Sequence, residues 1–222
     1  MCSARRTALQ SDDVRDIAAL AAAVTVVGMS FGALAGSAGV PWPLVVGMSV
    51  LVFAGGSQFL AVAVVAAGGA PVAAVAAGLL LNLRHLPFGL AIGEVVGRTW
   101  PSRLLGAHLL VDENVALSRA RGTGPRATAV YRVCGACLFV GWNLGTVVGL
   151  LAGGAIPDPA VFGVDAAFPA ALLALLLPSL RERDARTVGL TAAVLALAAT
   201  PFLPAGVPVL VGLLALLTVV RR

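Results

Sequence analysis

"LLLNLRHLPFG", residues 79–89, places an asparagine, an arginine and a histidine inside one of the most apolar runs of the chain. The run is long enough to cross a bilayer. Apolar residues extend from about Pro71 to Val96, and a spanning helix needs about 20 of them. Arg84 then lies about 20 Å along that helix, too deep to reach either surface easily. An arginine at a helix centre costs roughly 2.5–3.5 kcal/mol on insertion scales, so it must face a bundle interior or a wet cavity. Asn82 and His85 are three apart and share roughly one face. Pro87 cannot donate to the carbonyl of Leu83, which predicts a kink at that point. A charge, a proton carrier, an amide and a kink thus fall within one short stretch.

The rest of the chain fits the same reading. Of 222 residues, 59% are hydrophobic and 11% charged, against roughly 25% charged in a soluble domain. The mean hydropathy is +1.00. Too few polar residues exist to cover a globule, so the expected class is an all-α integral membrane protein. Strand-like alternation is missing and aromatic residues make up only 5%, which argues against a membrane barrel with aromatic girdles. Every basic residue is an arginine, scattered through short loops. There, positive charge sets membrane orientation rather than nucleic-acid binding. Cys134 and Cys137 form C-x-x-C within an apolar run. They read as small packing residues, since no second Cys or His pair accompanies them.

Residues 1–16 read as a polar tail, and 17–222 as a single transmembrane domain. Spans are expected at about 17–40, 43–67, 71–96, 127–154, 159–180, 187–203 and 205–220, that is, about seven. "LLGAHLLVDENVALS", 104–118, could cross as an eighth, dip in and return, or lie along the interface. Turn signals such as "PWP" at 41–43 and "GGAP" at 68–71 separate the runs.

A weak internal repeat is also visible. "GMSFGALAG" at 28–36 resembles "GWNLGTVVG" at 141–149, aligning Gly28, Gly32 and Gly36 with Gly141, Gly145 and Gly149. Four-residue glycine spacing lines one helix face and lets another backbone approach. Repeat one covers about 17–118 and repeat two about 127–220. With 104–118 not crossing, the two halves are expected to be inverted. The second span of the first half is interrupted at Gly55-Gly56, and its counterpart carries Pro169. Interrupted helices at matching positions point to a transporter site, because they free backbone N–H and C=O groups at membrane depth. A freed N-terminus suits a carboxylate and a freed C-terminus an ammonium.

The candidate substrate or coupling residues are therefore Asn82, Arg84, His85, Gly55, Gly56, Ser57, Gln58, Asp112, Glu113, Asp165 and Pro169. Arg84 has a planar fork that matches a carboxylate, either of a substrate or of Asp112, Glu113 or Asp165. His85 could relay protons or simply bond a neighbouring carbonyl. Ser57 and Gln58 should point inward. Trp142 reads as an interfacial anchor. No nucleophile elbow, zinc-protease motif or Walker A motif occurs, so no enzyme and no cofactor is expected.

"GMSFGALAG", "SVLVFAGGSQF", "NLRH" at 82–85, "VDEN" at 111–114 and "GVDAAFPAALLALLLP" at 163–178 together resemble the AzlC family, the large subunit of branched-chain amino acid exporters. The resemblance runs from about Gly28 to Arg183. Two positions depart from it: Val111 stands where the family often has Thr, and Phe88 where it often has an aromatic hydroxyl. The resemblance implies export of Leu, Ile and Val, with Met a further candidate, across the bacterial plasma membrane. It also implies proton coupling and a small AzlD-like membrane subunit of about four spans. The competing expectation is a membrane scaffold whose buried charges only pair with each other.

Overall fold

The computed structural model describes residues 9–97, 99–155, 177, 179–203 and 207–216, and all regular structure among them is helical. The elements are α1 (Ser11–Ser37), α2 (Trp42–Leu51), α3 (Gly55–Ala66), α4 (Pro71–Asn82), α5 (His85–Ala91), α6 (Gly93–Val96), α7 (Trp100–His108), α8 (Asp112–Ala120), α9 (Pro125–Ala155), α10 (Arg183–Ala199) and α11 (Val207–Gly212). Three segments among the described residues are long and apolar enough to cross a membrane: Ser11–Ser37, Pro71–Ala91 and Pro125–Gly153.

The centre of the molecule is the contact between α1 and α9, and glycine makes it. The two glycine faces meet each other. A Cβ on Gly28 would lie 2.7 Å from the Trp142 carbonyl oxygen. One on Gly32 would overlap the Thr146 carbonyl, and from the other side Gly145 and Gly149 crowd the carbonyls of Thr25 and Met29. Only a missing side chain allows two backbones this close.

The order of these contacts fixes direction. Gly28 faces Trp142, Gly32 faces Thr146 and Gly36 faces Leu150, so α1 and α9 run parallel. Inverted repeats would set these equivalent helices antiparallel. The inverted arrangement expected from the sequence is corrected here. A glycine face looks the same to a partner running either way, so the pattern alone could not decide.

The segment 43–67, expected as one span, is two short helices that turn back on each other. The chain enters as α2 from the end where α1 finishes, and Ser49 Oγ lies 3.2 Å from Thr146 Oγ1. It turns at Val52–Ala54, with Phe53 against Phe139 and Gly55 against the Trp142 ring. It then returns as α3, whose Phe59 packs on Phe31. α4 runs antiparallel beside α3, with Gly78 against Ser57 and Leu81 and Arg84 against Gly56. The descent through α5 and α6 ends at Gly97, next to the first turns of α9.

Residues 100–120 make a second re-entrant pair, from the opposite end. α7 rises past Tyr131, whose hydroxyl donates to the Gly106 carbonyl (2.7 Å), and reaches Phe139 at His108. α8 returns along α9, with Ser118 Oγ donating to the Ala127 carbonyl (2.9 Å). Of the alternatives open for 104–118, this is the one that dips in and returns. α10 and α11 pack on each other, and α11 also touches α4.

From α1 to α9, charge is segregated along the bundle. Arg15, Arg103, Arg119, Arg121, Arg126 and Arg132 gather at the end where α1 and α9 begin, while residues 38–41 and 67–70 at the other end carry no charge. At the arginine-rich end, Asp13 is fully buried. It accepts from Arg121 Nε (2.6 Å), from Arg126 Nε and Nη2 (3.0 and 2.9 Å), and from the Gln10 N–H (2.9 Å). The carboxylate thus ties the start of α1 to the turn between α8 and α9. Asp13→Asn leaves two guanidinium groups facing an amide that cannot balance them. The expected result is a clearly lower melting temperature in detergent. Asp16→Asn, at a side chain 35% exposed, should change it little.

Candidate functional site

The two re-entrant pairs turn at the same depth, half-way along α9. Phe53 at the first tip lies 6.2 Å from His108 at the second, ring to ring, and both rings pack on Phe139 at 5.0 and 5.6 Å. Phe53 has φ 42°, a left-handed conformation that a bulky side chain rarely adopts. Strain of this kind persists where the surrounding structure holds it, typically at functional sites.

The first tip is wired by its own residues. Ala54 N–H donates to Gln58 Oε1 (3.1 Å), and Ser57 Oγ donates to the Ala54 carbonyl (2.8 Å). Both side chains point inward, as expected: Ser57 and Gln58 are 3% and 2% exposed. The first N–H groups of α3, on Gly55, Gly56 and Ser57, have no acceptor within their helix. Gly55 lets the Trp142 ring in, since a Cβ there would lie 2.9 Å from it. Trp142 is therefore not an interfacial anchor. It is buried, stacked on Phe31 at 5.5 Å.

The second tip is held by Asn114, which is fully buried. Its Oδ1 accepts from the Val111 N–H (3.0 Å), and its Nδ2 donates to the Leu109 carbonyl (2.7 Å). This secures the break between α7 and α8 although Val111 has no hydroxyl to cap the helix. Asn114 was not singled out in the sequence, although "VDEN" contained it. Its burial is what assigns the role.

Between the tips, the 71–96 segment bends where Pro87 requires it. The Leu83 carbonyl, denied its usual donor, accepts instead from the Leu86 N–H (3.1 Å). The bend carries Asn82, Arg84 and His85. Arg84 Nη1 donates to Asp112 Oδ2 at 2.7 Å, and both side chains are 33% exposed. Of the two candidate carboxylates among the described residues, Asp112 and Glu113, Asp112 is the one paired with Arg84. Glu113 sits beside it on the first turn of α8, half-buried. Arg84 Nη2 lies 3.2 Å from where a Cβ on Gly56 would be, so Gly56 makes room for the guanidinium. His85 Nδ1 lies 3.1 Å from the Asn82 carbonyl oxygen. That carbonyl can only accept, so Nδ1 is the donor in this contact.

Nine of the eleven candidate residues thus lie on three breaks that converge. Asp165 and Pro169 lie outside the described residues. Beside the breaks is a cavity of about 530 Å³, lined among others by Val52, Phe53, Asn82, His85, Leu86 and Leu110. It is mostly apolar, with Asn82, His85 and His108 as its polar groups, and it is open on one side, where Leu86 is 64% exposed.

The AzlC protein family model matches residues 19–156. The chain belongs to the AzlC family. Neither a curated protein nor a solved structure matches it. The matched region contains both re-entrant pairs, the bend and α9, so the whole convergence lies within the AzlC portion. The stretch at 163–178, which also carried the resemblance, lies beyond it. The family is associated with branched-chain amino acid transport, and the apolar helices make this chain a membrane protein.

Proposed function

We propose that this AzlC chain is the large subunit of a secondary transporter that exports branched-chain amino acids, Leu, Ile and Val and also Met, from the bacterial cytoplasm. The observation that carries the reading is the Arg84–Asp112 pair. It is held half-way along α9, between two re-entrant tips that come from opposite ends. Such an arrangement gives a mid-depth site a separate protein wall toward each face, which alternating access requires. The apolar cavity beside the pair suits a branched aliphatic side chain.

In this reading α1, α4 to α6, and α9 cross the plasma membrane. The arginine-rich end faces the cytoplasm, following the positive-inside rule. His85, beside Arg84 in the bend, is the candidate proton carrier. A small AzlD-like subunit completes the transporter.

The test is leucine release from cells loaded with a leucine-containing dipeptide. Cells expressing this chain with its small partner should release leucine several-fold faster than cells expressing neither, and dissipating the proton gradient should abolish the gain. Unchanged release from cells in which the complex assembles would refute export.

A further inference from the structure

Among the described residues five buried side-chain polar atoms have no hydrogen-bond partner; one, Trp142 Nε1, is on α9, and the other four are on the three breaks: Gln58 Nε2, Arg84 Nε, Asn82 Oδ1 and Asp112 Oδ1. Two are donors and two are acceptors. They come from all three breaks, the first tip, the bend and the second tip. Buried polar groups in proteins are nearly always satisfied, and those left over call for an explanation. The ion pair itself is only half made. It uses one nitrogen of a guanidinium that could offer a two-pronged face, and one oxygen of a carboxylate that could accept at both.

The leftover set has a definite complement. Two donors, one of them cationic, fit a carboxylate. Two acceptors, one of them anionic, fit an ammonium. The first N–H groups of α3 add positive potential on the Gly56 side, next to Arg84. Gln58 is 2% exposed, so its free Nε2 has no solvent to turn to. Asn82 lines both this cluster and the apolar cavity, which places the cavity next to the acceptor side.

We propose that an α-amino acid binds by entering the Arg84–Asp112 pair. Its carboxylate takes Arg84 and Gln58 at the start of α3. Its ammonium takes Asp112 and Asn82. Its side chain fills the cavity bounded by Val52, Phe53, Leu86 and Leu110. The ion pair of the empty protein is then the stand-in for the substrate: each partner holds the charge that the zwitterion supplies on binding. No charge is left unpaired in either state, which matters at a depth where an unpaired charge is costly. The assignment rests on the amino acid reading above.

The experiment measures binding directly, so that it can fail separately from export. The full chain, purified together with its small partner, is melted in detergent with increasing ligand. Leucine should raise the melting temperature. Isoamylamine, which has only the ammonium, and 4-methylpentanoate, which has only the carboxylate, should not do so at the same concentrations. Gln58→Leu and Asn82→Leu should each raise the half-saturating leucine concentration about tenfold or more. The inference is overturned if either single-charge analogue stabilises the protein as well as leucine does. It is also overturned if both variants keep the wild-type half-saturation. The analogue arm needs no variant and stands even if a substitution prevents folding. Leucine binding without efflux from cells would sink export and leave the subsite standing; efflux with single-charge analogues binding equally well would do the reverse.

Discussion

Gly32→Ala should leave little folded protein in the membrane. The added Cβ would overlap the Thr146 carbonyl and come within 2.8 Å of the Leu150 nitrogen. Both are backbone atoms of a continuous helix, so neither can swing aside as a side chain would. The helices must separate along their length, and the same separation unseats Gly28, Gly145 and Gly149. We expect a loss of the order of 3 kcal/mol, the upper end for an overpacked site, or about a hundredfold in the folded-to-unfolded ratio. Fluorescence-detected gel filtration with a melting series measures it. Two controls belong in the set. Gly36→Ala meets the Leu150 side chain at 3.4 Å and the Leu150 carbonyl oxygen at 4.0 Å, both ordinary contacts, and Gly47→Ala meets nothing within 4 Å. Both should behave like the wild type. A Gly32→Ala protein as stable as Gly47→Ala would show that this contact is looser than described.

Arg84→Gln should reduce leucine efflux to the background of cells lacking the transporter, at least about a hundredfold. The variant has two effects to separate. It removes the cation beside the start of α3, and it strands Asp112 at mid-depth without a partner. The second effect alone destabilises, because a lone buried carboxylate is costly. The double variant Arg84→Gln/Asp112→Asn removes both charges and should recover much of the folded yield. If efflux stays at background in the double variant, the pair serves transport. If efflux returns with the yield, the charges only hold helices together, as in a scaffold. Arg84→Lys keeps the charge but loses the planar fork and the Nε donor. It should fold and transport poorly.

Much of this was legible in the sequence, for identifiable reasons. Hydropathy marks a helical membrane protein because lipid tolerates little else. The two glycine series mark close helix contacts, and they turned out to contact each other. "NLRH" and "VDEN" stood out because charge in an apolar run is costly, and that same cost brings Arg84 and Asp112 together. "AGGSQF" was readable as a break for the same backbone reasons. What hydropathy cannot give is direction. An apolar run of about 25 residues can be one crossing helix or two short helices that turn back, and 43–67 is the latter. The parallel sense of α1 and α9 was hidden likewise. Trp142 was misread because a tryptophan near a glycine face can mark an interface or fill the space that a glycine leaves. Only Gly55, distant in sequence, distinguishes the two.

The pairing of α1 with α9 has a consequence for how the protein is made. Gly28 and Trp142, which touch, are separated by more than half of the chain. At about 5–20 residues per second, α1 waits several seconds or longer for the helix that covers its glycine face. During that interval the first re-entrant pair is already synthesised, yet the middle of α9, against which its tip rests, is still inside the ribosome. The nascent chain must therefore hold an open seam and a half-inserted hairpin until α9 arrives. Insertion machinery that shelters both would be most needed in that window, and slowing synthesis just before Pro125 should lengthen it.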